Sequence, residues 1–472
     1  MNLNSSNLFI HHDLLLCHSS QPSNPAENCF IAGQQLAIKK LNDGTISINR
    51  PWFDTSPVFY QTSGGKLHIS EDWGSLLNEP EIDIGYVQDY VRYQVPNTEH
   101  TFVYNILYLR NGEILEIDPK GAITLKNAPL PDDIEIDLKD ALENELKKLS
   151  GNTVFHLSSG LDSTLLAILA SHIGMKVNAA TFITLGRGAT QELSLVEQLC
   201  TDFNFALEVY DFKDIDLWKV GNELIYNVFP FPISHPSHLV RYLLDRELVH
   251  NKYDVIVTGR GPDELLGGYE QHLESFNDPC KHLMRLTCTP DEIINNLFPN
   301  PIKSYTTCSQ KQFVVNDLLT LDSRLKYDLR SIYEAWNIID YSLSKHFNIM
   351  YTNPFLEYNI ARFMYHRPLH EKLEKYRQKV FLRQTFADLY PKYILDNNKQ
   401  GLRIDLRDYF KKYTSKDIME QIYNDSDFTE RYLNKKYVEF MIEQTLTDGQ
   451  NFGWQLWNIY LCKLTHNKIK QH

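Results

Sequence analysis

Two short loops carry the residues most able to do chemistry. The first, Ser158-Ser159-Gly160-Leu161-Asp162-Ser163, follows the run Val154-Phe155-His156-Leu157. Small residues let backbone N–H groups approach phosphate oxygens, and a helix beginning at Leu161 turns its positive end toward the anion. Asp162 is unsuited to a phosphate but suits a bridging Mg2+. The pattern fits the pyrophosphate end of ATP, held while a carboxyl group attacks the α-phosphate, although an ordinary strand-to-helix turn would look similar. The second loop lies in Asp254–Tyr269, where a Val/Ile run enters Thr258-Gly259-Arg260-Gly261-Pro262-Asp263-Glu264 and then Gly267-Gly268-Tyr269. Ligands of open parallel sheets sit beyond the carboxyl ends of the strands. Two such strand ends would place Asp162 and Asp263 on opposite sides of one metal–triphosphate.

The elements that must position these loops show in the alternation of the chain. Strand-like runs at Ala179–Thr184, Ala206–Tyr210 and Asp254–Thr258 alternate with helical stretches, which predicts a parallel α/β sheet. Asp137–Leu149 has helical spacing, and beyond about residue 280 Leu, Tyr and Phe recur at three-to-four spacing. Residues 1–124 read as short strands broken by Asn-Asp-Gly, Ser-Gly-Gly and Arg-Asn-Gly turns. The stretch Asn127–Asp133 is the linker, dividing the chain into regions 1–130 and 131–472.

Composition narrows the class. The 472 residues, 43% hydrophobic, allow two or three folded domains. A net charge of -13 argues against nucleic acid or an anionic membrane as main partner. No apolar run approaches the roughly 18 residues of a membrane span. Seven scattered cysteines without Cys-x-x-Cys spacing, and no basic leader, point to the cytoplasm.

The first loop resembles the Ser-Gly-Gly-x-Asp-Ser pyrophosphate loop of the ATP-pyrophosphatase (PP-loop) superfamily. The second resembles the Gly-Glu-Gly-Ala-Asp-Glu-Leu-Phe-Gly-Gly-Tyr segment of the asparagine synthetase class B family. The resemblance implies an α/β chain with a degenerate Ntn-type β-rich sandwich over 1–130 and a parallel-sheet PP-loop synthetase domain with many helices over 131–472. Arg50–Tyr60 and Ser70–Leu77 look like the later half of that glutaminase-type sandwich. Glutaminase members use a cysteine exposed after the initiator Met, whereas here residue 2 is Asn and the earliest cysteine is Cys17. Counterparts of the glutamine-binding segments Arg-His-Arg-Gly-Pro-Asp and Asn-Gly-Glu-Ile-Tyr-Asn are missing as well. The expectation is a domain inactive in glutamine hydrolysis.

The same resemblance implies roles for single residues. Leu157, Thr258 and Gly259 would pack on adenosine, with Ile183 near the adenine. Ser158, Ser159, Gly160, Asp162 and Ser163 would cradle the phosphates, and Asp162 and Asp263 would hold Mg2+. Lys379-Val-Phe-Leu-Arg383 resembles the Lys-x-x-Leu-Arg helix, whose lysine approaches the triphosphate. Asn398-Lys399-Gln400-Gly401-Leu402 resembles the Arg-Gln-Lys-x-x-Phe segment, so Lys399 would stabilise charge on the pentavalent phosphate and the later oxyanion. Asn353-Pro-Phe-Leu-Glu357 resembles Arg-x-Pro-Phe-Leu-Asp and is assigned structure. Two departures stand out. Ser159 replaces the second glycine, which is tolerable where its φ/ψ suits a non-glycine residue. Arg260 stands where asparagine synthetases carry Glu, and arginine is no base. It is assigned to a substrate carboxylate or the acyl-adenylate phosphate, leaving His235, His238 or Glu264 to take the amine proton. His235 and His238 also read as a metal pair, which two histidines do not complete, or as ordinary histidines.

The sequence therefore reads as an ATP-dependent, AMP-forming carbon–nitrogen ligase using ATP and Mg2+. Its substrate is a small molecule or peptide bearing a carboxylate. Lasso-peptide cyclases and β-lactam synthetases of antibiotic biosynthesis are the nearest analogues, which would add a precursor peptide and a partner protease. An ammonia-dependent asparagine synthetase and a non-catalytic nucleotide-binding scaffold are the alternatives.

Overall fold

The amino-terminal strands are short and alternate in burial, and they pair into two sheets. The computed structural model describes residues 8–10, 36–63, 66–94, 98–184, 189–229, 232, 235, 237–277, 289–305, 325, 328–329, 336–397, 406–424 and 427–471. The strands are β1 (Leu8–Ile10), β2 (Ala37–Lys40), β3 (Ile46–Arg50), β4 (Phe59–Ser63), β5 (Lys66–Ser70), β6 (Leu107–Tyr108), β7 (Glu113–Ile117) and β8 (Ile123–Asn127). One sheet runs β1-β5-β4-β6 and the other β2-β3-β7-β8. Ile48, Leu115 and Ile117 from one sheet meet Tyr60, Leu67 and Ile69 from the other in a common core, as period-two alternation requires. The all-strand expectation for 1–124 misses one helix, α1 (Ile84–Tyr93). Its Tyr and Val residues favour strands. Two other features make it helical: the Asp83 side chain caps it by accepting from the Tyr86 N–H, and Val87, Tyr90 and Val91 are buried. They pack in a core shared with Trp457 and Leu461 of the helix Gly453–Ile469.

Asp137 caps α2 (Leu138–Lys147), whose Leu138, Leu142 and Leu146 form one buried stripe. Beyond it lies the expected parallel sheet, built from β9 (Thr153–His156), β10 (Asn178–Ile183), β11 (Ala206–Asp211), β12 (Val255–Val257) and β13 (Met350–Thr352). Its order is β11-β10-β9-β12-β13, with every neighbouring pair parallel. The edge strand β13 is a finding, since three residues in a helical region leave no periodic signal. From β9 the chain first adds strands on one side and then, with β12, on the other. The β9–β12 junction is thus the topological switch point, where a cleft opens at the carboxyl ends of the strands. The connecting helices include α3 (Leu161–His172), α4 (Ala189–Phe203), α5 (Leu217–Asn227) and α6 (Ser237–His250), followed by α7 (Pro262–Leu266) and α8 (Glu270–Asn277). Among the described residues no helix is long and apolar enough to cross a membrane.

Candidate active site at the switch point

The two motif loops are neighbours because β9 and β12 are neighbours. Val257 pairs in register with Phe155, so the loops after these strands leave the sheet side by side. The first loop is tied by its own hydroxyls. The Ser158 N–H donates to Ser163 Oγ at 3.1 Å, and the Gly160 N–H donates to Ser158 Oγ at 3.2 Å. Gly160 caps α3 without a side-chain hydrogen bond, which leaves the helix's positive end facing the pocket. Ser159 is not among the residues with positive φ, so serine fits there without strain. Its N–H donates to the Glu192 carboxylate at 2.6 Å, its hydroxyl donates to the same carboxylate, and Asn397 Nδ2 donates to its Oγ at 3.0 Å.

The second loop approaches the first through a glycine. A Cβ on Gly259 would lie 2.6 Å from the Ser163 nitrogen and 2.9 Å from the Asp162 carbonyl carbon. Gly261, at φ +114°, then turns the chain into α7. This brings Asp263 of α7 beside Asp162 of α3. Lys379 Nζ sits between them, 2.5 Å from Asp162 Oδ2 and 2.5 Å from Asp263 Oδ1. Lys379 holds a left-handed backbone, φ 53°, as the cap of the helix Val380–Thr385. Burial alone would lower its pKa, but the Asp162 and Asp263 carboxylates outweigh burial and hold it above the ordinary lysine value. The ammonium marks one point of positive charge shared by two carboxylates. That donor set fits Mg2+, which takes one or two carboxylates and completes its shell with phosphate oxygens and water. Among the described residues no group of three or more His, Cys, Asp or Glu could hold a metal without such help.

Two lobes meet at Ser158 and Asp162. The smaller, about 70 Å3 and named the phosphate lobe after the resemblance of its loop, is lined by Ser159, Gly160, Glu192, Lys379, Arg383 and Asn397. The larger, about 450 Å3, is lined by Leu157, Ser163, Phe182, Thr258, Gly259 and Asp263, with Arg260, Glu264, Tyr269 and Trp336 among its other walls. Ile183 does not line it, contrary to expectation. Successive residues of a strand face opposite sides, and Ala180 and Phe182 take the cavity side of β10.

Arg260 lines the larger lobe but spends its guanidinium inside the protein. Nη1 donates to the Trp336 carbonyl at 3.2 Å and Nη2 to Asn337 Oδ1 at 3.1 Å, and the side chain pairs with Asp340. Asp340 also pairs with Arg241 and accepts from Asn353 Nδ2 at 3.0 Å. Arg241 lies over the Tyr351 ring at 4.7 Å. The fork assigned to a substrate anion is therefore already engaged by the helix Asn337–Phe347. Glu264 accepts a hydrogen bond from the Tyr269 hydroxyl. Burial, then the Glu264 charge, pushes Tyr269 well above its ordinary pKa, so the phenol keeps its proton. Behind them the Tyr269 N–H donates to His272 Nδ1 at 3.3 Å, and His272 Nε2 lies 2.7 Å from Asp328 Oδ2.

His235 lines the larger lobe, and its Nδ1 accepts from the Ser237 N–H at 3.2 Å. Burial lowers its pKa to about 4 and drives that of His238 well below the ordinary value. Both rings are neutral at pH 7, with centroids 6.3 Å apart. Lys399 lies outside the described residues. Sequence reasoning missed Glu192, Asn397, Asp340 and Phe182, none of which belongs to a recognisable spacing. Tyr269 ends the Gly267-Gly268-Tyr269 run, whose spacing assigns it no role.

A small-residue loop and an acidic turn thus meet at the switch point of a parallel α/β sheet. Residues 133–467 match the family described as Asparagine synthase, and the chain belongs to that family. Membership makes it an ATP-dependent, amide-forming ligase in general terms. It is 22% identical to the glutamine-hydrolysing asparagine synthetase 1 of Bacillus subtilis, across 91% of this chain and 76% of that protein. A putative glutamine-hydrolysing asparagine synthetase of Methanocaldococcus jannaschii is 23% identical, across 77% of this chain and 67% of its own length. Among solved structures, the NH3-dependent NAD synthetase from Campylobacter jejuni matches 28% of this chain and 57% of its own, with 20% identity and a TM-score of 0.21. The NMN synthetase from Francisella tularensis matches 29% of this chain and 60% of its own, with 15% identity and a TM-score of 0.21. The chain thus spans less than two thirds of either of these structures.

Proposed function

We propose that the protein adenylates a substrate carboxylate and passes the acyl group to an amine. A carboxylate oxygen attacks the α-phosphorus of ATP and pyrophosphate leaves. The amine then attacks the acyl carbon, AMP leaves, and an amide or lactam remains with one proton to be removed. The observation that carries this reading is the Lys379 ammonium set between Asp162 and Asp263, where the phosphate lobe meets the larger lobe. Asp162 and Asp263 would hold Mg2+, which supplies positive charge to the triphosphate. The Ser158–Ser163 loop and Lys379 receive the pyrophosphate, while Leu157, Thr258 and Gly259 offer apolar and backbone surface to the nucleoside. Lys399 is assigned to charge on the reacting phosphorus. Glu264 is the base, oriented by the Tyr269 hydroxyl. His235, with its pKa lowered to about 4, is a poorer proton acceptor near neutrality. Arg260 acts as a rigid wall of the acyl lobe, fixed by Asp340.

The amine comes from the substrate itself, from a second molecule or from free ammonia, because the chain carries no Arg-His-Arg-Gly-Pro-Asp segment for glutamine. Region 1–130 is read as an inactive glutaminase-like domain. On this reading the enzyme is of the cyclase type, and a precursor peptide with a partner protease fits it. Substrate-dependent exchange of labelled pyrophosphate into ATP tests the proposal. Exchange that requires a particular peptide or carboxylate supports it. Exchange with aspartate, followed by amide formation from ammonia, would favour asparagine synthesis instead. No exchange with any carboxylate would leave only a nucleotide-binding scaffold.

A further inference from the structure

We infer that Glu192 is an internal stand-in for the pyrophosphate of ATP, seated in the phosphate loop and displaced when nucleotide binds. The inference rests on the reading of Ser158–Ser163 as the phosphate cradle. In such a cradle the second residue of the loop offers its backbone N–H to a phosphate oxygen. Here that N–H, on Ser159, donates to the Glu192 carboxylate at 2.6 Å, and the Ser159 hydroxyl donates to the other carboxylate oxygen. The carboxylate thus makes the two-point contact that a phosphate would make. It projects from α4, a separate helix, into the phosphate lobe.

Two further observations support a resident anion. The pocket's permanent cations are already used. Lys379 is held by Asp162 and Asp263, and Arg383 donates to the carbonyls of Gln378, at 3.0 Å, and Leu395. The open end of α3 has no side-chain cap, and Asp162 of its own first turn is paired with Lys379, so Glu192 adds a second negative group beside that end. The departure at Ser159 also gains a reason, because a glycine there would lack the hydroxyl that bonds Glu192 and accepts from Asn397. A polyphosphate and the Glu192 carboxylate are like charges with one set of donors, so binding of one requires withdrawal of the other. Nucleotide affinity is then set partly by how firmly Glu192 is held.

The test is calorimetric titration of the full chain with magnesium pyrophosphate, MgATP and adenosine. Wild type is compared with Glu192→Gln and Ser159→Gly, each shown to be folded by its thermal transition. Replacing a charge-assisted bond by a neutral one should tighten pyrophosphate and ATP binding roughly tenfold in Glu192→Gln, and less in Ser159→Gly. Adenosine, which has no phosphate, should bind all three equally. Unchanged or weaker ATP and pyrophosphate binding by Glu192→Gln, with wild type binding ATP, overturns the inference and makes Glu192 a supporting ligand. Ser159→Gly gives the same comparison if Glu192→Gln does not fold. Failure of wild type to bind ATP at all removes the nucleotide site itself, and the inference with it.

Discussion

The phosphate lobe and the acyl lobe share a wall at Ser158 and Asp162, yet they are built in opposite ways. The phosphate lobe is centred on one contiguous loop, Ser158–Asp162, and charges from other elements face into it: Lys379 with its two aspartates, Glu192 on the Ser159 amide. In the acyl lobe Asp263 and Glu264 line the cavity, while its arginines are engaged from behind. Arg260, Arg241, Asp340 and Asp245 form a buried network behind the wall, and His235 and His238 are held neutral. The first arrangement can trade its internal partners for a ligand's. The second is a fixed frame whose rigidity decides which acyl group fits. One lobe is adaptable in charge and the other is fixed in shape.

The contrast can be broken from either side. Lys379→Ala strikes the phosphate lobe hardest. Pyrophosphate exchange should fall by at least about 100-fold, as for loss of a group stabilising developing charge, and near-normal exchange would remove Lys379 from the site. Asp340→Asn attacks the acyl frame. Removing one partner of a buried ion pair costs about 3–5 kcal/mol, so a large fall in thermal midpoint is expected, and a midpoint within a degree of wild type would contradict the frame. Gly259→Ala tests the seam between the lobes. The added methyl meets the Ser163 nitrogen and the Asp162 backbone, and overpacking of this kind costs about 1–3 kcal/mol; weakened nucleotide binding should accompany it.

The smallest effect is a pH dependence. Burial holds His235 at about 4, below its ordinary 6.5, so between these values the unfolded chain binds more protons than the folded one. The stability contributed by neutral His235 is complete above about 6.5 and is lost as pH falls toward 4. His235→Asn should show a shallower decline than wild type over that window in pH-dependent unfolding. An identical slope would mean that His235 is not held neutral.

How much of this was legible follows the same division. The phosphate loop, the acidic turn and the Lys379 helix are local patterns whose chemistry is written in consecutive residues, and the structure brings Ser158–Ser163, Asp162, Asp263 and Lys379 together. The alternating runs also foretold the parallel sheet around them. The acyl lobe depends on residues joined only by folding. Arg260 meets Asp340, eighty positions away, and no spacing announces it. Phe182 rather than Ile183 lines the larger lobe, because in a strand a step of one residue changes the face. Helix α1 was missed because its composition favours strands and its helicity comes from a cap and tertiary burial. Strand β13 gives no signal because its three residues lie within a region of helical spacing and lack the Val/Ile run that marks the equally short β12.

The central claim is that a carboxylate oxygen attacks the α-phosphorus of ATP at the junction of the two lobes. The direct measurement uses a carboxylate substrate that supports pyrophosphate exchange, labelled with 18O in its carboxyl group, and follows the label into products by mass spectrometry. The account predicts one 18O atom in each AMP released, with none in pyrophosphate. Unlabelled AMP, or label recovered in a phosphate other than the α-phosphate, would contradict it.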